Sequence, residues 1–503
     1  MNQRTDELSA VSRVENFDVA IIGGGINGAC LFDLLCRRGY RTILLERGDF
    51  GGGTSQASAM MIWGGLLYLR NMDVPSVFNF SRSRDQMIAH MDEWVSSRQF
   101  RFLPAQTGLL SKVPILSAMY LYWLIGCFKR ARPVVETQFE ERKYLRRSRE
   151  SLLFEEGMLR CSDCRFVLHW LTQNRQSQQK ALNYCELVGG DYRKKEGLWH
   201  LQAHDRLSGR EVELRSKVVV NCGGVWTDRI NEMMKIRSPY KHVFSKGVFL
   251  GLKKPQEQKS PLVFAQKEHN DVILSVPWGP ITLWGPTEET VTDIEKGFEV
   301  TTDDISYLLD RHQHHMNFMP EKDDIVSFRC GVRPLAVNVD YFSDSYPLDI
   351  SRNFKVAVDA DSSWVSVYGG KITGCEYLAD VAAGKVGQLT PPTMDHSVPA
   401  GEDDSSGKSC PTVSFPDLVD EFPTIQWCME HEHCRTLADY LRRRTNISQW
   451  VERQGLGKNN QHEDYLRSLC LVLSGGDARS AEKELQGYKD QVAARFDQLL
   501  EQI

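Results

Sequence analysis

Residues 17–47, FDVAIIGGGINGACLFDLLCRRGYRTILLER, decide the fold. An apolar run, Val19–Ile22, enters Gly23-x-Gly25-x-x-Gly28; a helix-like stretch follows, and a second apolar run, Thr42–Leu45, ends at Glu46. Strand, glycine turn, helix, strand and terminal acid in that order make the β-α-β unit that binds dinucleotides. Gly23 permits the tight turn, Gly25 lets backbone approach a pyrophosphate, and Gly28 lets helix and strand pack closely. The pyrophosphate rests on exposed N–H groups at the helix N-terminus, where the macrodipole favours an anion. Ile26 and Asn27 open that helix, and Glu46, followed by Arg47, stands where a carboxylate accepts hydrogen bonds from an adenosine ribose.

The rest of the 503-residue chain is long enough for two or three domains, or one composite domain with an appendage. A hydrophobic content of 41% supplies a substantial core. The net charge of −5 argues against a nucleic-acid partner. Thirteen cysteines are scattered without a framework and no signal peptide precedes them, so a cytoplasmic location is expected. Cys161-x-x-Cys164 lacks a second pair at ligand spacing and reads as ordinary thiols in a turn; no metal site is expected. No apolar run is long enough to span a bilayer. Ala118–Phe128, AMYLYWLIGCF, is followed by Lys129, Arg130 and Arg132. It fits either a helix lying in a membrane interface, which would place the protein peripherally at the inner face, or a buried helix beneath the cofactor domain.

Along the chain, residues 1–16 read as a loose polar leader and 17–390 as a continuous α/β unit. Within that unit, helical spacing is expected over 76–100 and a polar helical region over 134–180. Strands are expected over 185–221, 242–251, 262–285 and 353–368, with helices over 302–315 and after Gly369. His242, His269 and the histidines within 312–315 show no ligand spacing and read as solvated. Residues 391–410, rich in Pro, Ser, Gly and acids, form the expected linker, and 411–503 a helical C-terminal domain.

Three later segments bear on which dinucleotide binds. Val218–Asp228, VVVNCGGVWTD, is a buried strand ending in a double glycine. Gly331-Val332-Arg333-Pro334-Leu335 is the second segment. The third is Tyr368-Gly369-Gly370-Lys371-Ile372-Thr373, where glycines lead into a helix whose N–H groups face a flavin or its pyrophosphate. With these motifs in order over residues 17–383, and TLADYLRRRTNI at 436–447, the chain resembles the FAD-dependent glycerol-3-phosphate dehydrogenase family. The resemblance implies a glutathione-reductase-type, Rossmann-like FAD domain, an interleaved antiparallel substrate-binding sheet and a C-terminal α-helical domain. It also implies that Thr54, Ser55, Ser58 and Gly224 line FAD together with the glycine turn, Glu46, and the segment Gly369–Thr373.

The same resemblance exposes departures at the substrate site. The family's Lys-Leu-Ile-His-Gly-Gly-Leu-Arg-Tyr reads here Met60-Met61-Ile62-Trp63-Gly64-Gly65-Leu66-Leu67-Tyr68. Lysine, histidine and arginine thus become Met60, Trp63 and Leu67. The Lys-Gly-Ser-His motif ends in Phe249, and an expected arginine aligns with Asp344. A substrate larger and less charged than glycerol 3-phosphate is expected, its C–H beside oxygen or nitrogen oxidised by hydride transfer to flavin. Arg333 is the candidate for anchoring a carboxylate or oxyanion, or else forms a salt bridge in the substrate sheet. Lys371 and Tyr68 are candidate proton-transfer groups. With the family's histidine replaced by Trp63, the loop at 51–69 leaves no obvious attachment point, so FAD is expected to be non-covalent. Electrons would pass to a quinone or another acceptor. A genuine glycerol-3-phosphate dehydrogenase, an oxygen-using oxidase and a non-catalytic flavin-binding scaffold are the alternatives.

Overall fold

The computed structural model describes residues 2–104, 109–147, 150–172, 179–254, 258–266, 271–341, 350, 352–394 and 410–503. Two sheets carry the chain. In the first, Phe17–Ile22 lies between Thr42–Leu45 and Arg210–Asn221, parallel to both, and Trp364–Tyr368 extends the parallel set. All six residues of Phe17–Ile22 are buried, as a central strand covered on both faces requires. The antiparallel meander Cys185–Arg193, Leu198–Asp205, Arg210–Asn221 grows from the same sheet. The second sheet is mostly antiparallel. Its long strands Tyr240–Lys253 and Ile325–Asn338 pair along nearly their whole length, and Val272–Trp278 and Ile281–Gly285 continue it. This is the interleaved α/β arrangement expected from the sequence.

Residues 411–503 fold as helices around a core that includes Leu437, Tyr440, Leu466 and Leu485, with one small antiparallel pair, Thr412–Ser414 and Glu421–Pro423. The expected linker falls largely on 395–409, outside the described residues; just before it, Thr393 donates to Asp18 at 2.6 Å.

Three expectations are corrected. Residues 2–12 are not a loose leader but a helix, Asn2–Ser12, anchored by buried Leu8 and Val11 and by Arg4, whose guanidinium donates to Asp205 at 2.5 and 2.9 Å. The helical reading of 76–100 holds only through Val74–His90; Val95–Leu103 is a strand. The polar region 134–180 contains the strand Ser151–Leu159, paired with Val95–Leu103, and among the described residues an α-helix only at Asp163–Leu171, with a short 3-10 helix at Glu140–Tyr144. Glu156 made that strand look polar, yet its carboxylate is fully buried and held by Arg84 and Tyr122.

Candidate active site

A cavity of about 880 Å³ runs between the two sheets, near the upper end of the roughly 300–1,000 Å³ common for ligand pockets. One end is made by the first β-α-β unit. Gly23 has φ +107°, and a Cβ there would lie 2.4 Å from the Cys222 carbonyl oxygen on the neighbouring strand. Gly28 packs tighter still: its Cβ would meet the Gly23 carbonyl oxygen at 1.9 Å. The helix Ile26–Arg37 begins at Gly25 with no side-chain cap, which leaves its N-terminal donors to the cavity and to Ser55, whose Oγ accepts from Ile26 N–H at 3.0 Å.

Glu46 sits at the end of its strand with both oxygens engaged by backbone, accepting from Gly24 N–H at 2.7 Å and Gly48 N–H at 2.8 Å. Burial raises its carboxyl, and those two donors oppose the rise. Arg47 lies flat over Trp226, 3.9 Å from the ring, beside Gly224. The loop after the second strand supplies Thr54, whose hydroxyl donates to Val332 O at 2.6 Å, and Ser58, held with Arg329 on buried Asp163. Asn27 donates to Gly369 O at 2.9 Å, while its Oδ1 is buried without a partner. The turn Gly369–Thr373 closes the same wall, and Gly369 N–H donates to Nε2 of His242 at 3.1 Å.

That loop is gripped from outside by the C-terminal helices. Asp49 accepts from Arg444 at 2.6 and 2.8 Å and from Arg443 at 2.5 Å, and Arg442 donates to Gln56 O. Burial alone would raise Asp49, but the two guanidinium groups hold it far below the usual carboxylate range.

The other end of the cavity is walled by Trp63, Leu67, Tyr68, Phe249 and Leu274. Met61, rather than the expected Met60, faces the cavity; Met60 is fully buried in a left-handed turn with φ 60°. Asp344 lies outside the described residues. Lys371 reaches over Tyr68 with Nζ 4.1 Å from the ring and makes no ion pair among the described residues. Burial pushes its amine down to about 7.

Three polar residues here escaped the sequence reading. Glu288 accepts from Arg333 at 2.9 Å and from Arg352 at 3.1 Å, and Ser245 also donates to it. Burial would raise Glu288, but Arg333 and Arg352 hold it below its ordinary value. Burial lifts Asp271, on the same wall, to about 6, and the nearby Glu288 adds to the rise. Gly247 makes room for this cluster, since a Cβ there would meet the Arg333 guanidinium at 2.2 Å. Asp271 and Glu288 precede strands of the second sheet and Arg352 lies just before a strand of the first, so only the folding of both sheets brings them together.

The histidine reading is corrected at His242, His312 and His315, whereas His314 is exposed as expected; His269 lies outside the described residues. His242 and His312 are buried, and burial lowers His312 and His315 to about 4, so both are neutral. All thirteen cysteines are free thiols, and only Cys127 is exposed. Burial raises both Cys161 and Cys164 to about 12, and no metal-holding cluster occurs among the described residues.

A glycine cradle at a helix N-terminus, an orphaned amide oxygen on Asn27, and a second compartment ending in Lys371 and Arg333 define a dinucleotide-dependent oxidoreductase and fit a long cofactor with a reactive ring at its far end. The chain belongs to the FAD dependent oxidoreductase (DAO) family, whose pattern matches residues 18–370. It is 28% identical over 413 residues to a glycerol-3-phosphate dehydrogenase of Pseudomonas tolaasii, covering 80% of this chain and 78% of that one. It is also 28% identical over 390 residues to the aerobic glycerol-3-phosphate dehydrogenase of Escherichia coli, covering 75% and 74%. Among solved structures, the Bacillus halodurans glycerol-3-phosphate dehydrogenase complexed with FAD shares the fold with a TM-score of 0.67 at 18% identity, over 98% of this chain and 97% of that one. Glycine oxidase of Geobacillus kaustophilus shares it at a TM-score of 0.55 and 18% identity, over 77% of this chain and the whole of that one. FAD is therefore the cofactor, and the protein is an FAD-dependent oxidoreductase.

Proposed function

We propose that this enzyme oxidises an alcohol or amine that is bulkier than glycerol 3-phosphate and carries no more than one negative charge. One observation carries the reading: Glu288 bridges Arg333 and Arg352, so two guanidinium groups present one net positive charge to the cavity. A phosphate monoester carries close to two negative charges, and each carboxylate at about 4 Å from one of them costs up to about 4 kcal/mol at an effective dielectric near 20. Asp271 on the same wall adds to that cost. Trp63, Leu67 and Phe249 favour apolar substrate surface and exclude water.

Bound FAD supplies the hydride acceptor. The chain's own residues do the rest. Arg333 anchors the substrate's anionic or polar group with its forked donors. Lys371, half deprotonated near neutrality, takes the proton from the substrate O–H or N–H. Tyr68 lies against the Lys371 ammonium and fixes its direction. Non-covalent FAD and a quinone or other acceptor complete the reading.

The test is anaerobic bleaching of the flavin band by glycerol 3-phosphate beside a 2-hydroxy monocarboxylate, a long-chain secondary alcohol and an N-alkyl amino acid. Faster saturable bleaching by one of the last three supports the proposal. Bleaching by glycerol 3-phosphate alone overturns it. That outcome would establish the second reading, a true glycerol-3-phosphate dehydrogenase, which Arg352 favours by restoring a second guanidinium to the pocket.

A further inference from the structure

The arginines that grip the loop before Ser58 outnumber the carboxylates that answer them. Over Tyr440–Arg444 the backbone widens to a π-turn, and all three of its consecutive arginines reach residues 49–56. Arg443 and Arg444 close on Asp49, and Arg443 also on Asp439. Arg165 closes on Glu432, and Arg329 on Asp163. Among the described residues Arg442 has no carboxylate at ion-pair distance; its Nη2 donates to the Gln56 carbonyl. Five guanidinium groups thus stand with four carboxylates, and one positive charge is left over.

Donors are left over in the same place. Arg329 is 1% exposed, and its Nη2 serves Ser58 O and Asp163, but its Nε and Nη1 are sealed from solvent without a partner. Nη1 of Arg442 is in the same state. The two charges are neighbours: burial pushes Arg442 down to about 10, and Arg329 adds to the drop. Both also bear on the buried Cys164 thiol. The helix Ile447–Trp450 packs on the strand Ile325–Asn338 that carries Arg329, and its Ser448 Oγ and Trp450 Nε1 are two further sealed groups without a partner. Trp450 meets Trp278 at 5.4 Å, and Arg329 lies over the same Trp278 at 5.0 Å. Against these five donors the segment leaves two unmatched acceptors, Asn446 Oδ1 and Gln449 Oε1.

A buried donor without an acceptor costs free energy, and a buried cation without a counter-charge costs more. One anion removes both costs, through charge-assisted hydrogen bonds. It is a small one, because strand and helix are in direct contact here: the Ser327 hydroxyl donates to Gln449 O at 2.9 Å.

We infer that Arg329 and Arg442 hold a halide ion in the seam between the C-terminal helices and the body of the oxidoreductase. Arg442 is partly exposed, so the seam opens to solvent on its side and the ion can exchange. The same two arginines fasten the carbonyls of Gln56 and Ser58, and Thr54, Ser55 and Ser58 of that loop line the cofactor cavity. Neutralising the pair steadies this loop, so occupancy of the site is read at the flavin. The inference is independent of which substrate the far end of the cavity takes.

The experiment is thermal release of flavin, followed by its fluorescence, from the full-length, FAD-loaded protein in potassium chloride or potassium gluconate at one ionic strength. Wild type, R442M and C164D are compared; in C164D a carboxylate stands beside both arginines in place of the thiol. Wild-type crystals soaked in bromide locate the ion by its anomalous scattering. The expected release midpoint of the wild type rises with chloride and saturates below about 0.1 M, well under the concentrations at which salts act through general solvent effects. The chloride concentration for half the effect should rise at least about tenfold in R442M and C164D, as loss of one charge-assisted contact requires. A bromide peak should lie within hydrogen-bond distance of Arg329 and Arg442. Equal midpoints in chloride and gluconate overturn the inference, since water then satisfies the donors. A chloride effect that R442M retains also overturns it, as does a bromide peak confined to Arg333 and Arg352, which places the ion in the substrate cavity. If R442M fails to fold, C164D and the wild-type bromide peak decide the outcome.

Discussion

At one end of the cavity, backbone does the work: Gly23 and Gly28 leave 2.4 and 1.9 Å where a Cβ would stand, and Glu46 spends its oxygens on main-chain donors. At the other end, side chains from distant strands make the wall, and Glu288, Arg333 and Arg352 hold one another in place. A backbone cradle admits no substitution, so its glycines persist as a readable signature. A side-chain wall admits exchange of one group for another, as Trp63, Leu67 and Phe249 illustrate. The two ends thus constrain sequence differently, and cofactor identity is far more legible than substrate identity.

The severest way to break the comparison is at the cradle. Gly28→Val drives a side chain into the Gly23 carbonyl and is expected to cost at least about 3 kcal/mol, or over about 100-fold in FAD affinity. The ratio of flavin to protein absorbance after purification measures it; a normally yellow protein would mean that close helix–strand packing does not govern binding.

At the substrate end, Lys371→Met is expected to lower turnover by about 10²–10⁴-fold while FAD content stays unchanged. Because burial lowers Lys371 to about 7, wild-type kcat/KM should climb as pH rises through that value and the free base accumulates. The variant should lack that limb in its pH–rate profile.

The loop between the two ends can be loosened from outside. Arg444→Met leaves Asp49 buried with one partner fewer, and about 3–5 kcal/mol of stability should disappear in thermal unfolding at pH 7. Asp49 is depressed in the folded protein, so its contribution is full above the unfolded value of about 3.9 and is lost as pH falls below it. Wild-type unfolding curves should therefore converge on those of the variant in acid.

The smallest effect is expected at Glu288. Glu288→Gln frees charge on Arg333 and Arg352, and KM for glycerol 3-phosphate should fall by about tenfold, roughly 1.4 kcal/mol. A higher KM would show that Glu288 orients the guanidinium groups rather than discharging them.

What the sequence left hidden follows the same physical division. Strands were legible where apolar runs are flanked by turns, as at Phe17–Ile22 and Val272–Trp278. The helix Asn2–Ser12 was missed because only Leu8 and Val11 anchor it and its decisive contact, Arg4 with Asp205, spans 201 residues. Ser151–Leu159 was misread because a buried Glu156 imitates a surface residue. The buried His312 did carry a signal: Ile305, Leu308 and His312 share one helical face. Asp271, Glu288 and Arg352 carried none, since residues that meet only when two sheets pack together have no common spacing.

The thiol inventory has a practical consequence. Twelve of the thirteen cysteines are buried or partly covered, and burial raises Cys161 and Cys330 to about 12, where alkylating reagents find almost no thiolate at neutral pH. Cys127 stands exposed between Gly126 and Phe128 at the tip of the apolar helix Leu109–Ile125. Unmodified protein therefore offers a ready attachment point for an environment-sensitive fluorophore or a spin label, which would report the polarity around that tip with every other residue in its native form.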